Sequence, residues 1–359
     1  MCAALAFLAI PGFGFFYGGL LPKKNPLSIL LPCLLATCLV SLQWILVGYS
    51  LSFGPDHNGW IGTLAVTGLR GVGTDPNLEY AGTVPPLAFI FYHAMLAAVA
   101  VVILLAAFAE RIKLIALCAF ALLWTTIVYD PIAHWVWNVG GFLRRSDVSD
   151  FAGGAVVQLN AGVSALAASL VFEPSHDSLP SGTSTNPLFA ALGGAMVWLG
   201  WFGLNAGSAL SAGVIAANAV TATYIAAVIG GFTWTFLDGI FYKQASLVGL
   251  ITGAMTGMIA VAASAGSTSI WSALGIGFTA SICCYGLFVF LEKKTCFGTS
   301  HLIFCIHGIG GICGMMIAGQ WLIQAKAVLA IAIYSFGMTY LLLKFIDYVI
   351  GLTPGPTES

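Results

Sequence analysis

Stretches of about twenty apolar residues recur along this chain, each closed by a short run of turn-forming or charged residues. In hydrocarbon, backbone amides have no water to bond, so such a stretch can cross a bilayer only as a helix that satisfies them internally. Windows of this size give eleven spans, approximately 2–20, 28–53, 86–109, 114–137, 151–172, 187–206, 210–236, 246–265, 269–291, 301–319 and 325–350. The breaks fall at Pro22 to Pro26, Gly54 to Gly59 and Pro174 to Pro180, where Pro, Gly, Asn and Asp cluster. Only 7% of the 359 residues are charged, against roughly 25% in an average soluble domain. With 59% hydrophobic residues and a mean hydropathy of +0.98, neither a soluble surface nor a solvated disordered chain can be made. The net charge of −1 leaves no basic footprint for nucleic acid. An all-α polytopic membrane protein is expected.

The nine cysteines lie mostly inside apolar runs, with only Cys296 near a loop, and show neither a disulfide framework nor a Cys-x-x-Cys metal spacing. They read as small buried residues, and no metal or cofactor is expected. Met1 to Leu20 lacks a basic leader region and a small-residue cleavage site, so it reads as a span. Basic residues set the orientation. With the N-terminus outside, eight of them (Lys23, Lys24, Arg111, Lys113, Lys243, Lys293, Lys294 and Lys344) fall on the cytoplasmic side, and four (Arg70, Arg144, Arg145 and Lys326) fall outside. This predicts a cell (inner) membrane protein with its N-terminus out and C-terminus in.

Spans one to five and six to ten each end in a Gly-rich helix with a polar residue at depth, Gln158 in the fifth and His307 in the tenth. Five spans per half forces opposite topologies, the inverted-repeat plan with a pathway between the halves. Residues 1–352 then form one membrane domain: repeat one about 1–172, repeat two about 187–319 and an eleventh helix about 325–350, with 353–359 a tail or the start of a linker.

Polar groups at membrane depth are costly, and those that persist commonly face a cavity or pathway. Asp130, Asp150, His93, Gln158, His307 and Ser208 stand out. His307, inside an otherwise apolar helix, reads equally as a packed histidine or a pathway group. Asp150 reads equally as a helix N-cap or a substrate-facing carboxylate. Gln158, eight residues on, would sit about 12 Å deeper. Tyr129, Trp137 and Trp201 lie near outer ends of spans, where an interfacial belt would place them and where an aromatic vestibule can hold a cation.

Together, Ile10 to Leu20, Ala109 to Ile112, Pro131 to His134, Asp150 to Gly154, Gly200 to Ser208 and His307 to Gly311 resemble, in order and over almost the whole chain, the ammonium transporter (Amt/Mep/Rh) family. The resemblance implies an eleven-span, N-out fold, a homotrimer in the lipid bilayer, and one ammonium pathway per protomer. It puts the outer ammonium site at Trp137 and Ser208, with Asp150 buried beneath and Tyr129 a neighbour. An aromatic face plus a hydroxyl acceptor can replace part of the water shell of a small cation with four donors.

Departures from the family pattern fall on the pore, where Gln158, His307, Leu96, Leu204 and Trp201 are expected. The family's first pore histidine is Gln158 here, which hydrogen-bonds but does not titrate, while the second is His307. The family's two stacked phenylalanines are Leu96 and Leu204, and an outer-site threonine is Ala262. The family's Asp-rich approach to span ten is Gly298 to His301, and its acidic tail is replaced by Thr353 to Ser359. The leading reading is an ammonium sensor that binds the cation, conducts weakly or not at all, and feeds a cytoplasmic signalling module, such as a histidine kinase, at the C-terminus. The alternative is a channel moving ammonium as NH3 plus a proton, since family members with an acid at the first histidine position transport. An intramembrane enzyme using Ser208 and His307 is disfavoured, because the two fall at different depths.

Overall fold

The computed structural model describes residues 1–21, 27–172, 186–294 and 298–354. Among these, nine helical segments are long and apolar enough to cross a membrane: Cys2–Leu20 (α1), Ser28–Phe53 (α2), Pro86–Leu105 (α3), Leu114–Trp137 (α4), Pro187–Gly207 (α6), Val214–Phe241 (α7), Ile270–Lys294 (α9), Thr299–Ala318 (α10) and Trp321–Ile350 (α11). Two shorter apolar helices, Gly154–Ser169 (α5) and Leu247–Val261 (α8), fall within the expected fifth and eighth spans. They are shorter than expected because Asp150 to Gly153, with Gly153 at φ +89°, turns before α5, and Ala262 to Gly266 turns after α8. The seventh helix starts at Val214, four residues later than the sequence suggests, because Leu210 takes φ +48° and Gly213 is extended. Lys23, Lys24, Cys296, most of the 173–186 connection and residues 355–359 lie outside the described residues.

The connection between α2 and α3 is not wholly irregular. Asp56–His57 (β1) pairs antiparallel with Ile61–Gly62 (β2), and a 3-10 segment follows at Leu64–Leu69. The hairpin is fixed from below, where Asn138 donates through Nδ2 to the carbonyls of Ser52 and Gly54 at 3.1 and 3.0 Å.

Burial separates the helices into two kinds. In α3 every side chain from Tyr92 to Leu105 is buried, as expected of a helix apolar all round. α7, α9 and α11 instead present Phe232, Phe236, Phe278, Phe290, Ile333 and Leu341 outward. Such a surface would aggregate in water and is stable against lipid chains. The chain is an integral membrane protein.

Among the described residues, four helices carry a π-helical turn: Trp44–Gly48 in α2, Thr125–Tyr129 in α4, Gly154–Leu159 in α5 and Phe304–Ile309 in α10. Such wide turns are frequent at functional sites, and the last two contain Gln158 and His307. α5 and α10 cross where Gly162 meets Gly308 so closely that a Cβ on Gly162 would collide with the Gly308 backbone. That glycine contact brings the two polar side chains together. The turns in α2 and α4 flank another polar tie: Gln43 donates through Nε2 to Asp130 Oδ2 at 2.7 Å and to Thr126 at 3.0 Å. Asp130, fully buried, therefore fastens α2 to α4.

Candidate functional site

A cavity of about 200 Å³ opens at the end of the helices that faces the hairpin, and its wall gathers side chains from six parts of the chain. Trp137 at the end of α4, Ser208 at the end of α6 and Asp150 before α5 all line it, with Leu96 from α3. Phe53, Phe89 and His93 complete its aromatic side, and Glu79, Tyr80 and Arg144 stand around it from the loops. The His93 and Trp137 rings meet edge to face with centroids 5.6 Å apart. Burial pushes the Tyr80 phenol up to about 12, so it faces the cavity uncharged.

The Ser208 hydroxyl is oriented by its neighbour. Tyr92 Oη touches both the Leu204 carbonyl and, at 2.7 Å, Ser208 Oγ. A carbonyl can only accept, so with Tyr92 donating to Leu204 the Ser208 hydroxyl donates either to Tyr92 or to the Leu204 carbonyl, which lies 3.4 Å away. The Ser208 lone pairs are thereby left free as acceptors. Gly207 makes the arrangement possible, since a Cβ there would run into the Tyr92 ring.

Asp150 both caps a helix and lines the cavity. Its carboxylate accepts the backbone amides of Gly153, Ala155 and Val156 at 3.0, 2.9 and 3.0 Å, so it caps the π-helical start of α5. The same residue lines the cavity, placing a buried negative charge beside it. Trp137 is held by its indole N–H donating to the Asp150 carbonyl at 2.8 Å. The Asp150 to Gly153 turn is pinned from α8, because the Ala262 carbonyl accepts the Ala152 amide at 3.0 Å.

Deeper in the bundle the chemistry changes. Ser208, Leu204 and Trp201 follow one face of α6 at helical spacing. Trp201, buried, donates to the Met258 carbonyl at 3.1 Å and meets the Phe13 ring of α1 at 6.0 Å. Phe13 in turn lies 5.7 Å from the His307 ring. His307 Nδ1 bonds Gln158 Oε1 at 2.7 Å, and its Nε2 bonds Tyr17 Oη at 3.0 Å. The amide oxygen accepts, so Nδ1 carries the proton, and in the neutral ring Nε2 accepts from Tyr17. Both imidazole nitrogens are engaged, and the chain of bonds ends on an amide that cannot pass a proton on.

Trp137, Ser208, Asp150 and Leu96 are thus brought to one cavity, while Gln158 and His307 are bonded to each other at the α5–α10 crossing. Tyr129 is set back from the cavity wall, its ring packed 6.4 Å from both Trp44 and Trp124. Its hydroxyl has no hydrogen-bond partner among the described residues. Ser208 and His307 have different partners, so no nucleophile–base pair forms between them. The sequence reading gave no role to Tyr92 or Tyr17. Tyr92 was discoverable as the residue one helical turn before Leu96 on the same face.

At the rim, His134 at the end of α4 holds the hairpin. Its Nε2 lies 2.9 Å from Asp56 Oδ1, and its Nδ1 donates to the Ser52 carbonyl at 3.0 Å. Partial burial works upward on the Asp56 carboxyl. The hydrogen bonds from His134 and the Gly59 amide, with the charge of Arg145 nearby, outweigh it and hold the carboxyl below its usual range.

These features define a polytopic helical membrane protein with an aromatic, acceptor-lined vestibule above a closed polar centre. The Ammonium Transporter Family model matches residues 1–322. The chain is 37% identical over 378 residues to Ammonium transporter Amt1 of Archaeoglobus fulgidus, covering 99% of this chain and 93% of that protein. It is 34% identical over 383 residues to an ammonium transporter of Bacillus subtilis, covering 100% of this chain and 93% of the relative. The structure matches Saccharomyces cerevisiae Mep2 with a TM-score of 0.91 at 30% identity, over 99% of this chain and 88% of Mep2. It matches a protein described as a sensor Amt protein with a TM-score of 0.90 at 29% identity, over 100% of this chain and 94% of that one. The chain belongs to the ammonium transporter family.

Proposed function

We propose that the protein binds ammonium in the vestibule and passes it inward, with passage limited by the Gln158–His307 centre. The observation that carries this reading is the convergence of Trp137, Ser208, Asp150 and Leu96 on one cavity in a chain that aligns end to end with named ammonium transporters. The Trp137 ring face supplies cation–π attraction, the Ser208 lone pairs replace a water, and the Asp150 charge favours the cation without contact. The likeness to named transporters favours transport over the sensor reading preferred from the sequence alone.

Sensing is kept as a second reading on two specific observations. Gln158 ends the proton path at the centre. The Leu352 carbonyl accepts the Lys113 amide at 2.7 Å, tying the end of α11 to the α3–α4 turn, through which a change in the bundle would reach a C-terminal signalling module. A homotrimer in the inner membrane, N-terminus out and C-terminus in, with inverted repeats 1–172 and 187–319, belongs to the same proposal. Native mass measurement in mild detergent tests the trimer.

Calorimetric titration with ammonium chloride, paired with ammonium-dependent current in proteoliposomes, tests the function. Transport predicts saturable binding and a measurable current that saturates over the same range. Binding without current promotes sensing, and absence of binding overturns both readings.

A further inference from the structure

His93 lies against the vestibule and is not explained by the site as drawn so far. The residue is buried, with 7% exposure, yet it lines the cavity beside Trp137, Ser208 and Leu96. Four aromatic contacts fix its plane: Phe89 at 4.1 Å, Phe53 at 4.7 Å, Tyr92 at 5.3 Å and Trp137 at 5.6 Å between centroids. Nδ1 lies 3.0 Å from the Phe89 carbonyl one turn earlier in α3. That carbonyl can only accept, so Nδ1 carries the proton and the neutral ring has an unshared pair on Nε2. Among the described residues Nε2 has no hydrogen-bond partner. His93 lines the cavity and its Nε2 is not among the fully enclosed unpaired atoms, so it can accept from a donor held there.

We propose that His93 Nε2 is a hydrogen-bond acceptor of the outer cation site, so that a proton and an ammonium ion compete for it. The proposal rests on the reading of the vestibule as that site. Ammonium brings four N–H donors, of which the Trp137 face and Ser208 Oγ engage some, and Nε2 supplies a second directional acceptor. A proton on Nε2 removes the acceptor and adds a positive charge inside the cavity, so the cation is expelled. Other charged or titratable groups that line the cavity are Glu79 and Tyr80 from the α2–α3 connection, Arg144 after α4, and Asp150, whose carboxylate is already held by backbone amides, while Tyr92 on the same helix meets the His93 ring at 5.3 Å. Replacing His93 leaves all of these in place.

The test is the pH dependence of ammonium affinity, measured by calorimetry on the detergent-solubilised full chain. In wild type, Kd rises as the pH falls through the titration of His93, approaching about tenfold per pH unit below it. His93→Gln keeps an acceptor that does not titrate, so its Kd stays flat over the same range. His93→Asn is a second variant of the same kind, and a melting curve for each establishes that it is folded. Wild-type affinity independent of pH, or a folded variant with the wild-type pH profile, overturns the role of His93 while leaving the vestibule site standing. No ammonium binding by wild type at any pH overturns both.

Discussion

The vestibule and the centre of the bundle are both lined by aromatic and polar side chains, but they use their polar atoms in opposite ways. In the vestibule, the Ser208 hydroxyl donates to Tyr92 or to the Leu204 carbonyl so that the serine lone pairs stay free, and among the described residues His93 Nε2 has no partner. At the centre, His307 is bonded at both nitrogens, to Gln158 and to Tyr17. The first arrangement is made to accept a donor from outside, and the second is already satisfied. The proposed function assigns recognition of the cation and its passage to different groups, so substitutions should move one without the other.

The largest expected effect sharpens the centre. Gly162→Val puts side-chain atoms into the Gly308 backbone and drives α5 from α10. It should lower stability by about 3 kcal/mol, read as a lower melting temperature in detergent. An unchanged melting curve would mean that the crossing is not what holds Gln158 and His307 together. In the vestibule, Trp137→Ala should cost about 2 kcal/mol of binding, a loss of tens-fold in ammonium affinity by calorimetry. Unchanged affinity would move the site elsewhere.

A smaller effect, about 1 kcal/mol or roughly fivefold in Kd, is expected for Ser208→Ala. Tyr92→Phe should weaken binding in wild type and add nothing in the Ser208→Ala background, because Tyr92 acts through that hydroxyl. Additive losses in this double-mutant cycle would break the orientation argument. Smallest is the rim. The folded Asp56 carboxyl is held below its usual range, so its stabilisation is present above the ordinary carboxylate range and fades as pH falls through the folded value. Asp56→Asn should therefore destabilise by only about 0.5 kcal/mol near neutral pH, since Asp56 is largely exposed, with wild type and variant melting alike in acid.

Much of the fold was legible because lipid permits so few solutions. An apolar run of span length must be a helix, and the turn residues between runs mark the ends. The errors fell where backbone geometry, rather than hydropathy, decides. Leu210 and Gly153 take left-handed conformations that shorten or delay helices, and no apolar count reveals that. The π-helical turns around Gln158 and His307 leave no trace in hydropathy either. Of the site, Trp137, Ser208 and Asp150 were named because they match the family's motif. His93 was visible only as a polar residue at depth, since its role depends on which ring nitrogen the Phe89 carbonyl occupies. Tyr17 and Tyr92 had no role in the sequence reading, because their hydroxyl partners, His307 and Ser208, lie on helices distant in sequence.

The separation of recognition from passage is tested most directly at Gln158. Ammonium-dependent current in proteoliposomes and ammonium Kd should be measured side by side for wild type and Gln158→His. The account predicts a higher current in the variant, because a second imidazole extends the proton path, and an outer Kd equal to that of wild type. A variant with wild-type current, or one whose Kd shifts together with its current, would contradict it.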